Sequence, residues 1–397
     1  MKILETKKDG LSGFVIAVLL IMGAFGVMGG GLVAPGLPTI GEAFDAPKAQ
    51  YGWILSIYTL SAAISLPFIG YFIDSIGRRK VAIICLLIDG GAGLAIIFAP
   101  SFSVLLIFRF IQGIGIAGLV PVAMTVIGDI FEGERRLQIM GYLTGTISLG
   151  AVVIPTLGGA LASIDWRLVF AVYGFSLGLA LFFFLNLPET SPNKDPEGEE
   201  HSSPLEYASS LFSVLKIKKI RNMMVHSLIL YFLLYALVTF LPIFLVGIHG
   251  FDEIFTGLAL SLQAVFSAFL ASRAKFVARY IRWRGRASLG FGLMAIAFVL
   301  LPVWPVKSYT ISFSFIIYGV GMGFTSPTIY DRITRISPER LTGSVISIFN
   351  TMKYVGMTLS PFLLGLALLF TGLNTIFIGV GILSGVWSLW TILPGYR

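Results

Sequence analysis

From Gly10 to Gly41 the chain carries no charged side chain, and stretches of this kind recur along its whole length. A helix of ~20 apolar residues crosses a hydrocarbon core of ~30 Å. Within lipid an unpartnered backbone N–H or C=O costs several kcal/mol, which restricts a spanning chain to self-satisfied elements. Runs this long are expected to be helices rather than barrel strands. Reading them between charged or turn-rich breaks predicts twelve spans, near 13–36, 51–73, 81–99, 103–127, 138–162, 166–186, 222–247, 256–277, 287–304, 309–330, 341–369 and 373–393. The first is too long for a signal-peptide core and has no small-residue cleavage site, so it is expected to remain as a span.

Composition supports a membrane protein: 12% of residues are charged and 56% hydrophobic, against roughly 25% charged in a soluble domain. The formal net charge of +8 does not point to nucleic acid once the cations are located. With the N-terminus in the cytoplasm, 23 of the 28 Lys and Arg residues fall on the cytoplasmic side, leaving Lys48, Arg167 and Lys307 outside and Arg109 and Lys353 within spans. This is positive-inside asymmetry, and it predicts cytoplasmic termini in a cell membrane. Cys85 is the sole cysteine, which excludes an intrachain disulfide.

Residues 188–220 form the longest polar stretch, expected to be a cytoplasmic linker between an N-terminal bundle, 1–187, and a C-terminal bundle, 221–397. The flanking halves repeat at one offset. Gly113, Gly115 and Pro121 recur 206 positions later as Gly319, Gly321 and Pro327, and Gly150, Pro155 and Gly159 as Gly356, Pro361 and Gly365. Six plus six helices related by internal repetition suit a secondary transporter with a central site between rocking halves.

The segment GYFIDSIGRRK, 70–80, places Gly70, Asp74, Gly77, Arg78 and Arg79 in a pattern that resembles the loop signature of the major facilitator superfamily. RFIQGIGIAG, 109–118, with Arg109, Gln112 and Gly113, is similar to that family's motif in the fourth helix. GAVVIPTLGG, 150–159, with Gly150, Pro155, Gly158 and Gly159, resembles the fifth-helix motif of its twelve-helix drug:proton antiporter branch, although Ile154 stands where glycine is usual. GGGLVAPGLPTI, 29–40, is similar to the Pro-x-x-Pro stretch of that branch, without the acid many members carry earlier in the first helix.

The resemblance implies an all-α membrane protein of two six-helix bundles related by a pseudo-two-fold axis, a monomer working without a cofactor. It implies that Asp74 forms a latch near the start of the eleventh helix, that Arg109 takes part in proton transfer or interhelix bonding, and that the fifth-helix motif serves export and sealing. The second copy of the loop, SRAKFVARYIRWRGRA, 272–287, keeps cations but has no acid, so it is expected to serve topology and lipid head groups only.

Asp89 is the one acid deep inside a predicted span, where an ionised carboxylate is costly. It is a candidate proton carrier, with a structural bond to a neighbouring helix as the alternative. Lys353, with Asn350 one turn away, is expected to face the cavity and to favour an anionic or carbonyl-bearing substrate, unless it is paired to stabilise the halves. Gln263, Tyr235 and Tyr318, with Phe232 and Phe240, are further candidates for contact with an amphipathic compound. His201, His226 and His249 form no metal-type cluster, and GIGIAG, 113–118, lies inside an apolar helix rather than after a strand, so an enzyme is not expected. The expected activity is proton-coupled efflux of a small amphipathic compound. Proton-linked symport or facilitated diffusion of a small anion is the alternative, and a transporter-like sensor is the remoter one.

Overall fold

The computed structural model describes residues 8–186, 189, 214–338 and 342–393. Most of the expected linker, 188–220, therefore lies outside the described residues. Twelve helical segments succeed one another. They are α1 (Lys8–Phe25, continued after a break by Met28–Gly31, Ala34–Gly36 and Leu37–Ala43), α2 (Trp53–Ile76), α3 (Arg78–Ala95), α4 (Phe102–Ile130), α5 (Gly133–Ala162) and α6 (Trp166–Ala171 with Gly174–Asn186). The second half consists of α7 (Lys218–Leu245), α8 (Glu253–Ser272), α9 (Trp283–Val303), α10 (Ser308–Ile336), α11 (Thr342–Leu368) and α12 (Leu373–Ile392).

Ten of the described helices are long and apolar enough to cross a membrane, and the two parts of α1, bent by 48°, make an eleventh. The twelfth, α10, has 29 residues and so reaches about 43 Å at 1.5 Å per residue. Its serines, threonines and the terminal Asp331, Arg332 and Arg335 lower its hydropathy. An even number of crossings brings the start of α1 and the end of α12 to one face, called basal below, with the opposite face called distal.

The surface is apolar where a soluble protein would be polar. Phe175, Leu181 and Phe184 on α6 and Ile382, Val386 and Leu389 on α12 are exposed, which suits contact with lipid chains. Buried seams instead hold small and hydroxylic residues such as Ser61, Ser176, Thr239 and Thr325, which let helices approach closely.

Packing repeats between the halves. α4 lies on α2 and α3, and α10 on α8 and α9; α3 meets α6 as α9 meets α12; α1 meets α5 as α7 meets α11. The glycines at the 206-residue offset perform matched tasks. A Cβ at Gly115 would strike the Cys85 carbonyl of α3, and one at Gly321 the Gly290 carbonyl of α9. Gly113 admits the backbone of α2 at Tyr58, and Gly319 the backbone of α8 at Gln263.

Two seams join the halves, α5 with α8 and α2 with α11, and both close toward the distal face. Gly159 sits against the Glu253 carbonyl, and Gly257 against that of Pro155. Gly365 sits against the Ala49 carbonyl and Gly52 against Pro361. Hydrogen bonds reinforce the seams: Thr39 to Glu253 (2.5 Å), Thr156 to Ser261 (2.7 Å), Ser56 Oγ to the Thr358 carbonyl (3.0 Å) and Thr358 Oγ1 to Thr59 (3.0 Å). These bonds, with that from Lys48 Nζ to the Gly247 carbonyl (3.2 Å), lie toward the distal ends of their helices, so the distal face is shut.

Candidate functional site

Helix α1 cannot run straight through the N-terminal bundle. It bends by 48° between Phe25 and Met28, Pro35 and Pro38 farther on lack the N–H that a continuous helix needs, and Gly29, Gly30 and Gly31 just after the bend are each approached by a different helix. An added Cβ would meet the Tyr58 ring of α2 at Gly29, the Tyr235 hydroxyl of α7 at 2.5 Å from Gly30, and Pro155 of α5 at 3.6 Å from Gly31. The break is a junction at which three other helices converge, one of them from the opposite half.

Arg109 of α4 points into this junction. It is fully buried and its guanidinium is spent on three acceptors: Nη2 donates to the Gly29 carbonyl (2.8 Å), Nε to the Ile54 carbonyl (3.1 Å) and Nη1 to Gln112 Oε1 (2.8 Å). Its Cζ lies 4.3 Å from the centroid of the Tyr58 ring. Gln112 turns its other end to Asp89, donating from Nε2 to Oδ1 at 3.2 Å, while Ser176 Oγ of α6 donates to Oδ2 at 2.6 Å. Asp89 is also fully buried, and it does bind neighbouring helices, α4 and α6.

An amide set between a guanidinium and a carboxylate has one favourable orientation, oxygen toward the cation and NH2 toward the anion. Gln112 adopts it. The residues Arg109, Gln112 and Asp89 expected from sequence thus form one chain of polar contacts reaching from α6 through α3 and α4 to the backbone of α1. Gly113, one residue on, only makes room for α2. Sequence reasoning missed Ser176, the Tyr58 ring and the Gly29 carbonyl. A serine in a helix and a backbone oxygen at a helix break leave no side-chain signature, whereas the triple glycine before Pro35 was a visible mark of the break.

On the basal face, Gly77 joins α2 to α3 at φ +102°, a conformation that side chains resist. The turn buries Arg78, which meets Asp129 of α4 at 3.0 Å and Asp74 at 3.4 Å. The Glu189 carboxylate accepts the Arg78 backbone N–H at 2.8 Å, satisfying a helix start that would otherwise lack an acceptor. Arg79 donates to the Phe184 carbonyl of α6. The Asp74 side chain is 65% exposed and its ion pair is with Arg78. Its expected counterpart is the start of the eleventh span, and residue 341, where that span was expected to begin, lies outside the described residues. Gly70 lies within α2.

Of the fifth-helix motif, Gly158 receives the Leu32 carbonyl of α1, Gly159 the Glu253 carbonyl of α8, and Pro155 presents its carbonyl to Gly257. A Cβ added at Gly150 would stand 3.3 Å from the Ile154 side chain, a tight approach, and 3.7 Å from that of Ala24.

The cavity candidates separate. Lys353 Nζ is 3.5 Å from Asn350 Oδ1 and 4.8 Å from the Tyr231 ring centroid, and Tyr235 meets Gly30 across the halves. Tyr318 does not join them. Its ring is buried inside the C-terminal bundle, 5.5 Å from that of Phe298 on α9, because the Gly321 and Gly290 contact draws α10 onto α9. Gln263 is buried where its backbone meets Gly319.

The family model described as Major Facilitator Superfamily matches residues 19–361. The chain belongs to the Major Facilitator Superfamily. It is a transporter and not an enzyme. Among curated relatives it is similar to a bacillibactin exporter of Bacillus subtilis, 27% identical over 84% of this chain and 85% of that one. It is also similar to the multidrug resistance protein MdtL of Salmonella schwarzengrund, 27% identical over 73% of both. A bacterial homolog of the human lysosomal transporter Spinster, solved in an inward-facing, occupied form, superposes with a TM-score of 0.75 at 18% identity, covering 98% of this chain and 96% of that one. That match supports the superfamily fold. Small-molecule transport in a membrane, and two bundles of helices around a central seam, follow for this member too.

Proposed function

We propose that this superfamily member exports small amphipathic compounds in exchange for protons, by alternating access between bundles 1–187 and 221–397. The observation that carries this reading is the Asp89–Gln112–Arg109 chain, which ends on the Gly29 carbonyl, one residue from the Tyr235 contact between halves. A proton on Asp89 turns an acceptor into a donor. The Gln112 amide then has reason to rotate and offer its oxygen to Asp89, which leaves its NH2 group facing Arg109 and removes an acceptor from the guanidinium. Arg109 must find another partner, and its hold on the α1 break changes. A charge event inside the N-terminal bundle thereby reaches the seam that has to open.

The excess of cations at the basal ends supports a cytoplasmic basal face. The shut distal seams then correspond to an inward-facing state that takes up cargo from the cytoplasm. The printed names of the relatives, an exporter and multidrug transporters, support outward transport. In the reverse state Asp74, exposed here, is suited to close the basal face against the start of α11.

The test is flux in proteoliposomes carrying an imposed pH gradient, followed with a panel of amphipathic dyes. Wild type should move dye against its gradient when protons run the opposite way. Asp89→Asn, a mimic of the protonated carboxyl, should lose the response to the gradient while keeping dye exchange. Gradient-independent flux in the wild type would overturn proton exchange.

A further inference from the structure

Lys353 has no place in the proton path, and its surroundings bear on the cargo. It lies midway along α11, which runs from Thr342 to Leu368. One turn nearer the distal face, Thr358 bonds to Ser56 and Thr59 and shuts the seam. Lys353 thus lies on the basal side of the bonded part of that seam. Both of its described contacts, Asn350 and Tyr231, belong to the C-terminal half, so it does not pin the halves together.

Its charge is not matched. An ammonium has three donors; this one meets the Asn350 amide oxygen at 3.5 Å and the side chain of Tyr231, both uncharged partners. Among the described residues no carboxylate forms an ion pair with it; the described pairs involve Arg78, Arg167 and Arg335. The other cation in a span, Arg109, is committed to Gln112 and two carbonyls, and Asp89 is held by Ser176 and Gln112 on the far side of α4. Tyr231 and Tyr354 lie within electrostatic reach of Lys353, and Tyr354 is likewise near Tyr58 and Tyr235. The middle of α11 therefore sets a positive charge without a carboxylate partner beside tyrosines of the C-terminal half, with Tyr58 of the other half within electrostatic reach of Tyr354.

We infer that the cargo is an aromatic organic anion whose negative group pairs with Lys353 Nζ while its ring packs among Tyr231, Tyr235 and Tyr354. A cationic amphipath would place like charge on like, and a neutral one would leave the ammonium without its partner as the site closes. This rests on the transport reading but concerns recognition, so it is measurable at equilibrium without a gradient.

The experiment is calorimetric titration of the full chain in lipid nanodiscs with three probes of one shape: naphthoate, naphthamide and naphthylmethylammonium. Naphthoate should bind about tenfold or more tighter than the amide, the scale of a close buried charge pair, and the ammonium probe weakest. Lys353→Gln should bring naphthoate to the level of the amide while leaving amide binding unchanged, which shows the fold intact, and Lys353→Arg should keep the preference. Equal affinities in the wild type, no binding of naphthoate, or a preference that survives in Lys353→Gln would each overturn the inference. Absence of an anion preference in the wild type, with its gradient-driven flux intact, would overturn this inference alone.

Discussion

Opening the distal face requires Gly365 to leave Ala49, and a single methyl group tests that. An ideal Cβ on Gly365 would stand 2.5 Å from the Ala49 carbonyl oxygen, well inside van der Waals contact, and the obstacle is backbone that cannot swing aside. Overpacking of this kind costs ~1–3 kcal/mol. The cost falls on the shut state alone, because α11 and α2 part when the face opens. At ~1.4 kcal/mol per tenfold, Gly365→Ala should raise the distal-open population about 5- to 150-fold, up to the point where it predominates. The reporter is Ser56→Cys, buried in the same seam and nearly isosteric with the native residue, read by its rate of reaction with a membrane-impermeant maleimide from the distal side. The native Cys85 is buried and provides the background. Gly372→Ala, where no atom lies within 4 Å of the added Cβ, is the control. An unchanged rate in folded Gly365→Ala, or an equal rise in Gly372→Ala, would refute the argument that this contact holds the face shut.

Three further outcomes follow from the same geometry. Gln112→Leu should uncouple flux from the pH gradient as Asp89→Asn does, and the double variant should be no worse than either alone; additive losses in proteoliposome flux would separate the two residues. Gly29→Ala should abolish active transport, since its methyl would overlap the Tyr58 ring beside the carbonyl that accepts from Arg109, whereas Gly178→Ala, with open space around it, should match wild type in the same assay. Arg78→Gln should lower the thermal midpoint while permitting insertion, because hydrogen bonds to charged groups contribute about 1.5–3 kcal/mol each and the 3.0 Å ion pair with Asp129 would be lost; an unchanged midpoint by scanning fluorimetry would count against the junction.

Much of the architecture could be read from residue order, because lipid leaves so few options. Apolar runs announced the helices, and the 206-residue offset announced the paired seams that Gly159 and Gly365 form. Arg109, Gln112 and Asp89 were individually conspicuous as polar groups in apolar surroundings, but their union was not. It depends on the angle at which α3 meets α4, set by the Gly115 contact with Cys85, and on a break in α1 whose acceptor is a backbone oxygen. Tyr318 shows the opposite failure: its type suited a cavity, yet helix rotation aimed it into its own bundle.

The absence of an acid between Gly10 and Gly41 has an electrical consequence. Arg109 is neutralised locally by carbonyl dipoles, which cannot titrate, so the only counter-charge in its cluster is Asp89. While Asp89 is ionised the cluster carries no net charge; once it takes a proton, the permanently charged guanidinium leaves the cluster at plus one. A single positive charge exchanged across the bilayer is worth ~2.3 kcal/mol per 100 mV. Under the proposed proton exchange, the loaded and unloaded forms should therefore respond differently to membrane potential, which would make voltage a second source of work for the cycle.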